Sequence, residues 1–358
     1  MIPFFSVLIP SYNRPEYISE LINSILNGKF KNFEIIISDD CSPKTNEIKE
    51  LIKVFEEDNR VSFFSQEKNI GEVGNKNFLV SKAKGQFNIL IGDDDKFNPD
   101  SLTILFKKII DNPNYDIYTF GYSTMNENSE RLSKYVSPKD IQINLQDFKI
   151  ALHVFCADML PLWIFHPSTF CCRADIEKSI GYSSQVGMAE DMYFIFEALL
   201  DNKKLFVISE EIFQWRKIIS KSKSDQLNQS SIYLNDLKAR LKIYQQILKK
   251  YSSNNHYYFF ISDEYIYRFL IKNLLSDKRI ILSELKNILS QDIELAEIAV
   301  INKLVNFSKQ KSIYVWFHKS LLLPKRIFIF YKIFGFINTI CFLFGLYSNK
   351  KIFSLVKS

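Results

Sequence analysis

The chain predicts an α/β protein with a doubly wound, mostly parallel sheet, continued by a helical C-terminal extension. Three observations carry this. Short apolar runs alternate with amphipathic stretches from residue 4 to residue 91, the rhythm of strand and crossover helix. The runs end in polar residues, at Ser11-Tyr12, Asp39-Asp40 and Asp93-Asp94-Asp95. In an open α/β sheet such ends collect on one edge, where ligands bind. Beyond about residue 225 the strand signals fade, and Leu234, Leu237, Leu241, Tyr244 and Leu248 recur at helical spacing.

Phe4 to Pro10 reads as a first buried strand, broken by Ser11-Tyr12-Asn13-Arg14-Pro15. Pro15 suits the first turn of the helix that follows. Ile18, Leu21, Ile22, Ile25 and Leu26 share one face of it, and Gly28 stops it. Phe33 to Ser38 is a second strand. A second helix carries Ile48, Leu51, Ile52 and Phe55. Val61 to Ser65 is a third strand, Gly71 to Ala83 a helix, and Phe87 to Ile91 a fourth strand ending in Gly92.

The three carboxylates after Gly92 repel one another and call for a counter-cation. Hard oxygen ligands suit Mg²⁺ or Mn²⁺, which commonly bridge a carboxylate to a substrate diphosphate. The plainer alternative is a solvated acidic turn capping a helix that begins near Pro99. The first strand-to-helix turn lacks GxGxxG, and no GxxxxGK[ST] occurs, so a dinucleotide dehydrogenase and a P-loop enzyme are excluded.

Five cysteines form no CxxC pair and the four histidines are scattered, which argues against zinc and disulfides and fits a reducing cytoplasm. Residues 4–10 are apolar without a preceding basic segment, unlike a signal peptide. The net charge of +6 is uneven. After Glu297 there is no acidic residue but ten basic ones, which leaves the rest at −4. A basic tail on a mildly acidic body points to an anionic surface. Membrane is preferred to nucleic acid because the basic residues flank an apolar run. Ile327 to Leu346 has 20 residues, about 30 Å as a helix and enough to span a bilayer. Lys332 opposes spanning, at about 2.5 to 3.5 kcal/mol on insertion scales. An in-plane helix with Lys325 and Lys332 toward the head groups fits better. Lys350, Lys351 and Lys357 add about 1 kcal/mol each near anionic lipid. The alternative is a buried hairpin of the helical region.

Val7-Leu8-Ile9-Pro10-Ser11-Tyr12-Asn13-Arg14, Ile35-Ile36-Ile37-Ser38-Asp39-Asp40 and Ile91-Gly92-Asp93-Asp94-Asp95 resemble the signature blocks of family 2 glycosyltransferases. The likeness continues through His166-Pro167-Ser168-Thr169, Ile180-Gly181-Tyr182, Ala189-Glu190-Asp191-Met192 and Trp215-Arg216, over roughly residues 4–222. The resemblance implies a GT-A fold for a catalytic domain over 1–222, to which the helical spacing adds a helical domain over 223–320 and the basic apolar composition a membrane-associating tail over 321–358. It implies an inverting, metal-dependent transfer from a nucleotide-diphospho sugar, UDP-linked by preference, to a glycan or lipid-linked acceptor. The setting would be the cytoplasmic face of a bacterial membrane. A homo-oligomer through the helical domain is compatible with it.

By that resemblance Pro10 and Tyr12 line the nucleotide pocket, and Asp40 accepts a hydrogen bond from the base. Asp93 approaches the ribose, Asp94 or Asp95 holds Mn²⁺ or Mg²⁺, and Arg216 lies near the diphosphate. Ile218 stands where the family often has a histidine, with Lys221 or Lys223 as substitutes. Asp191 is the general base, with Glu190 orienting it or meeting acceptor, and His166 and Trp163 are on the active-site floor. Each has a bland counterpart: helix capping for Asp39 and Asp40, first-turn helix acids for Glu190 and Asp191, and core packing for Trp163 and His166. The alternative for the whole chain is a catalytically silent relative that binds or scaffolds at the membrane.

Overall fold

The computed structural model describes residues 2–137, 139–143, 170–184 and 190–217, all within one compact unit. The helical domain expected over 223–320 and the membrane-associating tail expected over 321–358 lie outside them. Among the described residues no helix is long and apolar enough to cross a membrane.

The first half follows the alternation of its sequence. β1 (Phe5–Ser11) is buried along almost its whole length. It leads through Asn13, whose φ is 59°, into α1 (Pro15–Leu26). Pro15 opens the helix, and Ile18, Leu21, Ile22 and Ile25 form its buried stripe. β2 (Phe33–Asp39) and α2 (Thr45–Lys53) follow. Ile48 and Ile52 bury one face of α2, whereas Leu51 stays exposed. β3 (Val61–Ser65), α3 (Gly71–Lys82) and β4 (Phe87–Leu90) complete the set. β1 pairs in parallel with both β2 and β4, and β2 with β3, giving the order β3-β2-β1-β4. The register sets Ser11 beside Asp39 and Leu8 beside Leu90. The polar ends of β1, β2 and β4 therefore share one edge, stitched by Asp40 N–H to Ser11 O (3.0 Å) and Ile91 N–H to Leu8 O (3.0 Å).

The second half is mixed rather than parallel. β5 (Lys96–Phe97) is followed by α4 (Ser101–Asp111), β6 (Ile117–Met125), β7 (Arg131–Tyr135) and β8 (Ile141–Ile143). Then come β9 (Phe170–Arg173), α5 (Ala174–Ile180), α6 (Glu190–Leu200) and β10 (Leu205–Arg216). β9 inserts between β4 and β6, antiparallel to both. β10 runs parallel to β6 and antiparallel to β5 and β8. Two register shifts in β10, between Ile208 and Phe213, bend its end toward the acidic corner. Gly121 in β6 admits this crowding, because a Cβ there would lie 2.5 Å from Val136 and 2.8 Å from Tyr135 O.

Candidate active site

The shared strand edge opens into a cleft of about 320 Å³, within the range of small-molecule sites. Pro10, Ser11, Tyr12 and Arg14 come to it from the end of β1, Asp40 from β2, and Gly92 and Asp93 from β4. Asn69, Gly71, Glu72, Asn75 and Lys76 come from the start of α3. Tyr12 stands 46% exposed at the rim. Asn13 and Cys41, directly after the two strand ends, both have positive φ (59° and 53°). Strained backbone of this kind clusters at ligand sites.

The acidic triplet is not a solvated cap. α4 begins only at Ser101, after Asp100 in the left-handed region, and Asp93 and Asp95 are buried. Its three side chains part company. Asp93 Oδ2 accepts the Tyr12 N–H (3.2 Å), and its Oδ1 faces Arg14 Nε at 3.3 Å. Burial, helped by the Asp94 charge and opposed by Arg14, pushes the Asp93 carboxyl up to about 6. Asp94 pairs with Arg14 Nη1 and keeps 13% of its side chain exposed. Asp95 turns inward, and its Oδ1 accepts the Arg216 N–H at 3.0 Å. Gly92 keeps the corner tight, since a Cβ there would sit 3.0 Å from Asp94 Oδ1 and 3.2 Å from Asp95 Oδ2.

Asp39 and Asp40 divide in the same way. Asp39 organises the turn into α2, accepting the Ser42 N–H (3.2 Å), the Ser42 hydroxyl (2.6 Å) and the Thr45 hydroxyl. Asp40 faces the cleft and holds the entrance of α3 through the Ile70 N–H (2.7 Å).

Arg216 is a strut beneath the triplet rather than a group presented to the cleft. Its guanidinium is fully enclosed and donates to Asp94 O (2.7 Å), Asn126 O (3.1 Å), Glu127 O (3.0 Å), Ser129 Oγ (3.0 Å) and Glu20 Oε2 (2.6 Å). It also lies over the Tyr17 ring at 4.2 Å. The basic side chains that do line the cleft are Arg14 and Lys76.

The motif reading missed Lys76. Its Glu72-to-Lys76 spacing resembles a surface helix pair, yet Lys76 is only 3% exposed. Lys76 Nζ reaches Glu72 at 2.7 Å and also pairs with Glu190, at the start of α6. Burial alone would lower its pKa, but Glu190 and Glu72 together raise it. Thus one side chain lines the cleft and holds the residue next to Asp191. Asp191 is 8% exposed, and Phe194 and Ile195, three and four residues on, are buried. It therefore lies on the inward side of α6, not on the solvent side where a simple first-turn acid would stand. Phe194 fixes that orientation by stacking on Phe170 (5.6 Å) and packing against Tyr182 (5.4 Å). Two buried acceptors in this neighbourhood, Asn75 Oδ1 and Glu190 Oε2, have no hydrogen-bond partner among the described residues, as is common where a ligand completes the set. His166, Trp163, Ile218, Lys221 and Lys223 lie outside the described residues.

Among the described residues no group of three or more His, Cys, Asp or Glu side chains is arranged to hold a metal ion by itself. The donor chemistry still suits one. Mg²⁺ and Mn²⁺ prefer oxygen, and Mg²⁺ usually takes one or two carboxylates and completes its shell with substrate phosphates and water. Asp94, the most open of the three acids, fits that mode.

Residues 6–162 match the family described as Glycosyl transferase family 2. An uncharacterised glycosyltransferase of Methanocaldococcus jannaschii is 28% identical over 216 residues, covering 60% of this chain and 71% of that one. The GalNAc(5)-diNAcBac-PP-undecaprenol β-1,3-glucosyltransferase of Campylobacter jejuni is 34% identical over 155 residues, 42% of this chain. This chain spans 48% of that enzyme's length. The crystal structure of Staphylococcus aureus TarS 1–349 with UDP superposes with a TM-score of 0.59 at 20% identity, covering 85% of this chain and 86% of that one. That likeness gives the described sheet a GT-A-type fold.

Proposed function

We propose that this chain, whose residues 6–162 match glycosyl transferase family 2, is a glycosyltransferase of that family and moves a sugar from a nucleotide-diphospho sugar to a hydroxyl of a lipid-linked or polysaccharide acceptor. The observation that carries the reading is Lys76, a lining residue of the cleft at the strand ends whose ammonium holds Glu190 beside Asp191. A UDP donor is supported by the UDP complex of the structural neighbour. A lipid-linked acceptor is supported by the name of the Campylobacter relative.

In this reading the nucleotide lies in the cleft, with its base against Pro10, Tyr12 and Asp40 and its ribose toward Asp93. Asp191 takes the proton from the acceptor hydroxyl, which requires an approach of about 3 Å. The acceptor oxygen forms its bond to the anomeric carbon as the bond from that carbon to the diphosphate oxygen breaks, with inversion. Asp94 or Asp95 would hold a divalent ion, which would supply Lewis-acid stabilisation of the departing diphosphate. Arg216 contributes by holding the Asp94 carbonyl with its guanidinium and the Asp95 carboxylate with its main-chain N–H, and Glu190 by orienting Asp191. The basic apolar stretch at 321–358 would hold the enzyme to the inner membrane face, where lipid-linked acceptors lie.

The test has two arms. A screen of nucleotide sugars for Mn²⁺-dependent hydrolysis identifies the donor, and calorimetry follows UDP with Mn²⁺. Asp191→Asn is expected to abolish turnover while UDP still binds within a few fold of the parent. Normal turnover in Asp191→Asn would remove Asp191 from the mechanism. A chain that bound neither UDP nor Mn²⁺ would be a silent relative instead.

A further inference from the structure

We propose that Arg14 is an internal counter-cation that occupies the acidic corner and yields it to a divalent ion only when a nucleotide diphosphate arrives. The inference rests on the donor-site reading above and adds an order to it. Arg14 Nε lies 3.3 Å from Asp93 Oδ1, and Nη1 pairs with Asp94 Oδ2. One guanidinium thus bridges Asp93, which lines the cleft, and Asp94, the most exposed acid of the triplet, while Asp95 is turned away toward the Arg216 N–H.

The geometry gives Arg14 both a fixed base and a free end. Its backbone is held between Asn13, with φ 59°, and Pro15 at the first turn of α1. Its side chain is 44% exposed, so the guanidinium can swing without disturbing the core. With Arg14 in place, the charges of Asp93, Asp94 and Arg14 sum to −1, which attracts a divalent ion weakly. An ion seated on Asp94 would meet a fixed positive charge at contact distance, where repulsion in a partly buried site is strong. Guanidinium and metal ion therefore compete for the same oxygens.

A diphosphate removes the conflict. It offers Arg14 an acceptor matched to its planar fork, and it offers the metal the phosphate oxygens that complete its shell. Each ligand then favours the other, and by linkage the effect is equal in both directions. A metal that waits for the nucleotide leaves Arg14 to offset one of the two carboxylate charges between turnovers.

Mn²⁺ binding followed by electron paramagnetic resonance tests this on the full chain, with and without UDP, for the parent, Arg14→Met and Arg14→Lys. Arg14→Met is expected to bind Mn²⁺ alone about tenfold tighter than the parent and UDP alone about tenfold more weakly. Arg14→Lys keeps the charge but not the fork, so its affinity for Mn²⁺ alone should stay near the parent's. A thermal melt verifies that both variants are folded. Equal Mn²⁺ affinity of parent and Arg14→Met without UDP, with the UDP–Mn²⁺ complex still forming in both, overturns the inference and leaves the donor site standing. No binding of UDP or Mn²⁺ in any form overturns the donor site and the inference with it.

Discussion

Lys76 shows how much a single side chain can decide. A lysine buried against Glu190 is held there by charge, and such pairs are costly to break from one side. Lys76→Met should destabilise the protein by about 3 to 5 kcal/mol, because it leaves Glu190 buried without its counter-charge. Adding Glu190→Leu should recover most of that loss, and urea unfolding of the single and double variants reads both effects. Asp93 makes the opposite case, since its carboxyl is raised from 3.8 to about 6 by burial first and by Asp94 second. A raised carboxyl contributes stability that is complete below 3.8 and lost as the pH rises through about 6. The full difference is about 3 kcal/mol, of which somewhat over 1 kcal/mol falls between about pH 5 and 7. Unfolding in the absence of ligand should show this slope, and Asp93→Asn should flatten it. Neither residue announced itself. Lys76 sat in a spacing typical of an exposed pair, and the burial of Asp93 depends on Tyr12 and Arg14 from a strand end about eighty residues away.

Among the elements, β10 has the largest structural task. Its parallel pairing with β6 runs on to Arg216 opposite Met125, and its short antiparallel contact with β5 sets Phe213 opposite Phe97. Together they bring Arg216 under the acidic corner. Arg216→Lys keeps the charge but cannot satisfy five acceptors from one fork. It should lower stability by on the order of 2 to 4 kcal/mol and weaken the UDP–Mn²⁺ complex, as calorimetry and thermal unfolding would record. The elements of the first half were legible because each carries its own pattern. α1 has an apolar stripe and a proline start, and β1, β2 and β4 are apolar runs with polar ends. β6, β9 and β10 were not legible in that way. β9 is four residues long and is defined by two antiparallel neighbours, and β6 is buried on both faces with Gly, Ser and Thr among its residues.

At the scale of the whole molecule, a cleft bounded by β-strand ends and by α3 is tied through Lys76 to Glu190, at the start of the helix that carries Asp191, and a basic apolar segment follows much later in the chain. On the proposed membrane-tail reading, the full chain should sediment with membranes and removal of residues 321–358 should release it while leaving UDP binding intact. A full chain that stays out of the membrane fraction, or a shortened one that stays in it, would overturn the tail assignment.

The sequence by itself determined the strand–helix alternation, the common edge at which its acidic and polar turns gather, and the family resemblance, because those are local patterns repeated at regular spacing. Only the tertiary structure decided which acid of each cluster faces the cleft and which braces a turn. It alone enclosed Arg216, buried Lys76 against Glu190, and set Arg14 across two carboxylates. Burial and pairing between residues far apart in the chain exist only once the sheet has formed, so no local pattern can encode them.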